Sequence, residues 1–462
     1  MTQSPREKFS APMSKVGSSS QHARWDALAS SERGDSLRVL LVAPEPFYED
    51  RGTCIAVREV AEALALLGHR TDLLTYPIGR DVPLPRTTIL RAPKLLPMRS
   101  VKIGFSLRKL LLDAALVVAL ATQLRRVRYD VIHAVEEAAF PAVILGHRYG
   151  VPVLYDMQSS MPDQMRTHLI FRNPLALGIL RSCERWLLTR ADMVVASSGL
   201  AEQARQSVPS LRVREWHFPS SLRVVSTDSV QDLRQELRIQ DHVRVVLYSG
   251  SFEPYQGLDE LLAALPQVVR DVGNVVLVLV GGSPSACAEL RREAEAMGLG
   301  RSVRIRERQA RDRLPEFLAL ADVVVSPRAY GENAPLKIFD YLAAGKPIVA
   351  SNAASHRWVL AEDRALLVEH TPAALARGIS AVLSDPELEG RLRAGARAYA
   401  AKRLHPAGFV DAVGELYEEL RTLAASRSRG PASEAPHEAA RPRRATARDA
   451  THRRASIRTR GR

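Results

Sequence analysis

Short apolar runs alternate with amphipathic stretches along most of this 462-residue chain. Five runs in the first half are brief and aliphatic enough to predict buried strands. They cover residues 37–43, 71–75, 129–134, 151–156 and 191–197. The stretches between them have room for helices. Because strands that alternate with helices form right-handed parallel crossovers, this half predicts a doubly wound parallel sheet.

A second series of the same kind follows a predicted hinge at 218–223. Its strands are predicted at 243–250, 274–280, 303–306 and 321–326. The predicted fold class is therefore α/β, with two Rossmann-like, doubly wound domains that face each other across a cleft. The predicted domains are an N-terminal acceptor-side domain over 37–222 and a C-terminal nucleotide-sugar-binding domain over 223–400. A helix over 401–424 is predicted to pack back on the N-terminal domain. Residues 1–36 and the basic tail 425–462 are predicted to be disordered extensions.

One strand, loop and helix in the second series predict an anion site. The apolar strand 321–326 is followed by a polar loop, and Pro335 is predicted in the first turn of the next helix, where its missing amide costs nothing. Gly345 fits the cap at the end of that helix. Because free amides and the positive end of the dipole lie at a helix start, an anion is favoured beside Lys337.

Composition narrows the class of protein. Apolar residues make up 46% and aromatic residues 5%, which suits helices packed on aliphatic strands. Three scattered cysteines indicate neither a disulfide framework nor a metal cluster.

The residues before 37 lack the apolar segment of a signal peptide, and the longest apolar run, 110–120, is far short of the about 20 residues that span a bilayer. A cytoplasmic location is the expectation.

The net charge of +14 is concentrated in two places. Residues 427–462 hold eleven arginines against three acids, and 86–128 holds ten basic residues against Asp113 alone. The tail is interpreted as a solvated extension, and no specific nucleic-acid binding is expected. The 86–128 stretch alternates cations with apolar residues. It predicts either contact with an anionic membrane surface, which would make the protein peripheral at the inner face of the membrane, or a half-buried helix with a solvated basic end.

The most specific pattern is Glu332 and Asp340, separated by seven residues and followed by Tyr-Leu-Ala-Ala-Gly-Lys-Pro-Ile-Val-Ala-Ser up to Ser351. It resembles the GT-B glycosyltransferases, specifically retaining glycosyltransferase family 4, also called glycosyltransferase group 1. The resemblance covers about 37–423. It implies transfer of a sugar, with retention, from a nucleotide-diphosphate sugar to a hydroxyl of a glycan, lipid-linked or small-molecule acceptor. The family's usual pattern has glutamate where this chain has Asp340.

The resemblance also implies site residues. Glu332 contacts the hydroxyls of the donor sugar, and Asp340 contacts the ribose. Because front-face displacement needs no protein nucleophile and the chain has no Asp-x-Asp, no metal ion and no cofactor besides the donor co-substrate are expected. The implied donor-binding set is Gly250, Ser251, Gly282, Arg328, Gly331, Asn333, Ala334, Pro335, Leu336, Lys337 and Asp340.

Two departures from the family pattern shape the expectations. Ser251 and Gln256 stand where members usually carry an arginine and a lysine that bind the diphosphate. The hypothesis is that Arg328 and Lys337 supply that charge, since a leaving diphosphate needs cations nearby. In the first domain, Val135 stands where many members carry a histidine over the reacting sugar.

The acceptor side is therefore predicted from neighbouring residues. Glu136, favoured over Glu137, is the second catalytic candidate beside Glu332, because its charge fits the acceptor or the forming oxocarbenium ion. Gly52 and Thr53, with Thr53 predicted to cap a helix, are expected in the acceptor or phosphate loop, together with His133 and Asp156. The alternatives left open are a nucleotide-sugar 2-epimerase and a catalytically degenerate scaffold of a polysaccharide assembly system.

Overall fold

Two parallel β-sheets organise the chain, and helices cover both faces of each. The structure is a computed structural model. It describes residues 36–428, apart from 50–51, 96–106, 163–172, 220–221, 223–224 and 330–333. The predicted N-terminal extension lies outside the described residues, except Ser36, and so does the basic tail from 429 onward.

The first sheet has seven strands in the order β3-β2-β1-β4-β5-β6-β7, all parallel. Its strands are β1 (Arg38–Ala43), β2 (Arg70–Thr75), β3 (Thr87–Arg91), β4 (Val131–Val135), β5 (Val153–Met157), β6 (Met193–Ala196) and β7 (Val213–Glu215). The helices of this domain are α1 (Gly52–Leu66), α2 (Leu107–Arg126), α3 (Ala139–Tyr149), α4 (Pro174–Arg190) and α5 (Ser198–Ser207). Every residue of β4 and β5 is buried, as expected of strands covered on both faces.

The second sheet has six parallel strands in the order β10-β9-β8-β11-β12-β13. Its strands are β8 (Arg244–Ser249), β9 (Val275–Gly282), β10 (Val303–Glu307), β11 (Val323–Ser326), β12 (Ile348–Ser351) and β13 (Ala365–Val368). The remaining helices are α6 (Thr227–Glu236), α7 (Leu258–Val272), α8 (Pro284–Ala296), α9 (Leu314–Leu320), α10 (Leu336–Ala343), α11 (Ala354–Arg357), α12 (Pro372–Ser384), α13 (Pro386–Arg403) and α14 (Pro406–Ser428).

Strand order fixes where a ligand can enter. In each sheet the order of strand addition reverses beside the first strand. The reversal lies between β1 and β4 in the first sheet and between β8 and β11 in the second. At such a switch point the following loops diverge and leave a crevice at the carboxyl ends of the strands. The loops after β8 and β11 contain most of the predicted donor residues, and the segment after β4 contains Glu136.

The last helix, α14, returns to the first domain. Phe409, Val413, Leu416 and Leu420 pack into the same apolar cluster as β1 and α1. Tyr417 is buried among them, and its Oη lies 2.8 Å from Nδ1 of His133 on β4. This helix therefore covers one face of the first sheet with residues from the far end of the chain.

The structure differs from the sequence expectations at edges and helix starts. Strands β3, β7 and β13 were not predicted, because each lies at a sheet edge and only part of it is buried. Helix α1 begins at Gly52, so Thr53 lies inside its first turn and does not cap it. Helix α10 begins at Leu336, which makes Pro335 its capping residue rather than its first-turn residue.

The hydrogen bond between Tyr417 and His133 allows a test of how α14 is held. Tyr417→Phe should lower the free energy of unfolding by about 1–3 kcal/mol, because it leaves a buried imidazole nitrogen without a partner. Urea unfolding followed by circular dichroism measures this. Tyr149→Phe, on the exposed side of α3, is the control and should change the free energy by less than about 0.5 kcal/mol. Equal effects of the two changes would show that the bond contributes nothing.

Candidate active site

Glycines line the carboxyl ends of β8 and β9 in the second domain. Gly250 has φ of +146°, and a Cβ atom on Gly281 would lie 2.2 Å from the Gly250 carbonyl oxygen. A Cβ atom on Gly282 would lie 2.3 Å from the Phe252 ring. Side chains at these positions would collide, so the backbone itself forms the floor of the crevice. The predicted donor residues Gly250, Ser251 and Gly282 belong to this floor.

Lys337 crosses the crevice from α10 to the loop after β8. Its Nζ donates to Gln256 Oε1 at 2.8 Å and lies 3.9 Å from the centre of the Tyr248 ring. It is also 3.2 Å from the position that a Cβ on Gly250 would take. Burial and the neighbouring Arg328 guanidinium hold the pKa of Lys337 well below its usual range.

Arg328 lies on the other side of this crevice, in the segment after β11. Its guanidinium carbon is 5.3 Å from the centre of the Tyr255 ring, a cation–π distance. The Arg328 carbonyl accepts a hydrogen bond from Ser351 Oγ at 2.5 Å. The buried His356 ring forms hydrogen bonds with Ser351 and with Ser326, the last residue of β11. Burial lowers the pKa of His356 to about 4, so the ring is neutral near pH 7 and serves as a hydrogen-bonding support.

Asp340 has a partner that the sequence analysis missed. Its side chain is buried, and Oδ1 lies 3.3 Å from a guanidinium nitrogen of Arg311. Glu59, on α1 of the first domain, lies close enough to this pair for both charges to act on it. Burial, with the Glu62 carboxylate adding and the Arg311 cation opposing, raises the pKa of Glu59 to about 7. Because Arg311 and Glu59 belong to no recognisable motif, no sequence signal identified them.

The two domains approach each other at two helix starts. A Cβ atom on Gly52, the first residue of α1, would lie 3.2 Å from Cδ1 of Leu336, the first residue of α10. Thr53 is half-buried directly behind Gly52. The amino ends of two helices from different domains therefore point into one cleft, and both favour negative charge there.

Glu136 follows β4 directly and has a φ of +51°, a left-handed conformation that is costly for a residue with a side chain. Both of its carboxylate oxygens accept from Ser159 Oγ, at 2.8 and 3.0 Å. Burial, with the neighbouring Glu137 carboxylate adding, raises the pKa of Glu136 well above its usual range. Glu137 itself forms an ion pair with Lys109 of α2. Of these two acids, Glu136 is the one with a strained backbone, directly after the carboxyl end of β4.

His133 and Asp156 lie deeper than a contact residue would. Both side chains are almost fully buried, and His133 Nε2 is 3.6 Å from Asp156 Oδ2. His133 also contacts Tyr417, while Asp156 Oδ2 accepts from Gln158 Nε2 at 3.0 Å. These two residues therefore connect α14 with the loop after β5, next to Ser159 and Glu136.

Three predicted residues of the loop before α10, Gly331, Glu332 and Asn333, lie outside the described residues. The described residues on its carboxyl side, Ala334 and Pro335, are half-buried and lead into Leu336 and Lys337. The roles implied for Gly331, Glu332 and Asn333 stay predictions.

Models of protein families match both domains. Residues 229–399 match "Glycosyl transferases group 1", and residues 51–215 match "Glycosyl transferase 4-like domain". The chain belongs to the group 1 glycosyltransferases, and it is an enzyme of that class. The family resemblance predicted from the sequence is confirmed.

Curated relatives carry related names. The chain is 26% identical to a phosphatidyl-myo-inositol mannosyltransferase of Mycobacterium leprae over 84% of its own length and 98% of the relative's. It is 33% identical to a D-inositol 3-phosphate glycosyltransferase of Xylanimonas cellulosilytica, but that match spans 36% of this chain and only 40% of the relative.

Solved structures share the fold. A sucrose-phosphate synthase from Thermosynechococcus elongatus superposes with a TM-score of 0.70 and 22% identity, over 84% of this chain and 99% of that one. Anabaena Alr3699/HepE, crystallised with UDP-glucose, gives 0.65 and 18%, over 83% and 100%. The predicted GT-B fold is confirmed. Within the described part of the chain, no helix is sufficiently long and apolar to cross a membrane.

Glu136→Gly tests separately the backbone strain at this position and the contribution of its carboxylate to the reaction. Glycine adopts positive φ freely, so the midpoint of thermal unfolding should stay level or rise, while kcat should fall about 100-fold or more if the carboxylate supports the reaction. Arg238→Gly is the matched control, because Arg238 also has a positive φ, 53°, far from the crevice. It should leave kcat unchanged. A full rate in Glu136→Gly would remove this residue from the catalytic set.

Proposed function

We propose that this enzyme transfers a sugar, with retention of configuration, from a nucleotide-diphosphate sugar to an acceptor hydroxyl. The observation that carries the proposal is the position of Lys337, whose Nζ lies against Gly250 and Gln256 at the switch point of the second sheet. Lysine and arginine are missing from the loop after β8, where the family usually carries them. The Lys337 side chain brings a cation to that same loop from α10.

Charge explains why a diphosphate suits this crevice. In the free enzyme Lys337 hydrogen-bonds to a neutral amide and lies near another cation, Arg328, which is unfavourable for its charged form. A diphosphate would bring negative charge to Lys337 and Arg328, and the start of α10 would add backbone amides. We infer that Arg328 and Lys337 bind the leaving diphosphate, with Gly250, Ser251 and Gly282 under it.

The proposed reaction is a front-face displacement. The acceptor oxygen forms a bond to the anomeric carbon on the face from which the diphosphate departs, the bond from that carbon to the phosphate oxygen breaks, and a phosphate oxygen takes the acceptor proton. Glu332 would hold the hydroxyls of the donor sugar, and Glu136 would stabilise the positive charge that develops on the sugar ring. No metal ion and no cofactor is included, because positioning and protein cations supply the stabilisation.

The donor's nucleoside is proposed to lie against Asp340. Its carboxylate is fixed by Arg311, and a fixed carboxylate can accept hydrogen bonds from two neighbouring ribose hydroxyls. UDP-glucose is the first donor to test, because the Anabaena neighbour was crystallised with it. The names of the relatives suggest an inositol-containing or lipid-linked acceptor, which would lie against Glu136, Gly52 and Thr53.

A second proposed partner is an anionic membrane surface, reached through 86–128. The described part of this stretch includes α2, where Leu110, Leu111, Val117 and Val118 are exposed. Arg108, Arg125 and Arg126 are exposed on the same helix. Together they favour a cytoplasmic protein that attaches to the inner face of the membrane.

The family match favours sugar transfer over the 2-epimerase and scaffold alternatives.

The stereochemical outcome tests the reaction. Purified enzyme with UDP-glucose, and in parallel with GDP- and ADP-glucose, should release nucleotide diphosphate faster when myo-inositol is added. Proton NMR during slow hydrolysis by water should show α-glucose before β-glucose. EDTA should leave the rate unchanged. Early β-glucose would refute retention, a sugar isomerised at C2 would indicate the epimerase, and no nucleotide binding would favour the scaffold.

Lys337→Met tests the diphosphate site. Donor affinity should fall about 10–100-fold with the loss of a charge-assisted hydrogen bond, while the melting temperature stays level or rises because a poorly compensated, half-buried cation is gone. Calorimetry of UDP binding in buffers of different ionisation enthalpy should show proton uptake by the wild type. The sign follows from the depressed pKa of Lys337 in the free enzyme, which bound diphosphate raises.

The pH dependence has the same origin. Affinity of the wild type for UDP should be greatest below the pKa of Lys337 in the free enzyme and should decline as pH rises through it. Lys402→Met, on the exposed face of α13, is the control and should retain both affinity and proton uptake. Unchanged affinity in Lys337→Met would exclude this lysine from the donor site.

A further inference from the structure

An apolar groove runs between α3 and α4 on the outside of the first domain. It has a volume of about 660 Å³ and is lined by Phe140, Leu175, Ile179, Cys183 and Trp186, among others. The rings of Phe140 and Trp186 stack at its base, with centroids 6.0 Å apart and planes 2° apart. Leu175 is 72% and Ile179 57% exposed beside it. Such exposure is costly for a protein that meets only water.

The exposed apolar side chains of the molecule are concentrated on this side. Of the twelve large apolar side chains that are exposed in the described part of the chain, nine lie on α2, α3 and α4. These three helices pack in sequence on one face of the first sheet. Single exposed apolar residues are normal, but their concentration on three neighbouring helices of one layer indicates an interaction surface.

The charges of α3 and α4 have one sign at the surface. On α4, Arg181, Arg185 and Arg190 are exposed, while its one acid, Glu184, is buried and accepts a hydrogen bond from the Met161 amide at 2.7 Å. Helix α3 contains no acid, and its Arg148 is exposed. Among the described residues of α3 and α4, the exposed charged side chains beside this apolar stripe are cations, which makes it complementary to apolar chains beneath anionic headgroups. A protein partner would more often be matched by charges of both signs.

The position of the groove connects it with the acceptor side. Phe140 comes four residues after Glu136, at the start of α3. Glu184 on α4 accepts from the Met161 amide, four residues after the end of β5, so this part of α4 lies beside the carboxyl ends of the strands and Leu175 lies beyond them. The groove therefore lies on the side of the first domain where the segment after β4 carries Glu136.

We propose that this groove binds a hydrocarbon chain of an anionic membrane phospholipid, while the arginines of α4 contact the phosphate layer. The inference extends the proposed membrane contact of α2 to a defined site on α3 and α4. It does not depend on the identity of the donor. It also assigns a role to Trp186, whose apolar ring and indole N–H suit the boundary between acyl chains and headgroups.

Vesicle binding by the full chain tests the proposal. Wild-type protein should co-sediment with vesicles of phosphatidylcholine and phosphatidylglycerol at 7:3, and at least tenfold less with phosphatidylcholine alone. Ile179→Asp should reduce binding to the mixed vesicles at least tenfold. Met297→Asp, at an exposed apolar position on the second domain, is the matched control and should bind as the wild type does. Circular dichroism and UDP affinity verify that each variant is folded.

Fluorescence locates the contact. Phosphatidylglycerol vesicles with lipids brominated in mid-chain should quench the wild type, and Trp186→Phe should lose most of that quenching. Val118→Asp changes α2 alone. If only Val118→Asp weakens vesicle binding, and quenching persists in Trp186→Phe, the groove proposal is wrong while the α2 contact stands. Equal binding of Ile179→Asp and wild type would overturn it as well, whether or not the transfer reaction is established.

Discussion

The contact of Lys337 with the loop after β8 is the interaction on which the candidate site depends. Three features of the described residues surround the Lys337 ammonium: the missing side chain of Gly250, the Gln256 amide and the face of the Tyr248 ring. Burying such a charge costs free energy that the fold must recover elsewhere. Under the proposed function, a bound diphosphate would offset that cost.

That cost is recovered in the hydrogen bonds under the crevice. Tyr341 on α10 accepts from the Ser249 amide at 2.9 Å, which fixes the helix of Lys337 to the end of β8. His356 fixes the ends of β11 and β12 through Ser326 and Ser351, and Ser351 holds the Arg328 backbone. Both cations thus stand on buried, hydrogen-bonded supports that hold the backbone around them in place.

The sequence was sufficient to predict the two parallel sheets, because their central strands are aliphatic and buried on both faces. It was sufficient for the stretch around α10 as well, where strand, glycine, proline and charge coincide. It could not predict the half-exposed edge strands. Nor could it predict that Arg311 pairs with Asp340, since the two are 29 residues apart and only the packing of the loop before α9 brings them together.

The N-terminal half of the site was harder to predict for a related reason. Charge and position in the sequence predict Glu136, but its positive φ and its hydrogen bonds to Ser159 depend on how the ends of β4 and β5 meet. His133 had no sequence signal that would separate a ligand contact from a buried support. Its partner Tyr417 is 284 residues away, on a helix that returns from the second domain.

That return has a mechanical consequence. The chain crosses between the domains before α6 and again before α14, and α14 is then fixed to the first sheet by Tyr417 and its apolar neighbours. Any movement of one domain relative to the other must therefore occur about these two connecting segments. A Cβ atom on Gly52 would lie 3.2 Å from Cδ1 of Leu336 across the cleft, so the Leu336 side chain would have to shift by a few tenths of an ångström. The absence of a side chain on Gly52 thus allows the starts of α1 and α10 to lie this close together.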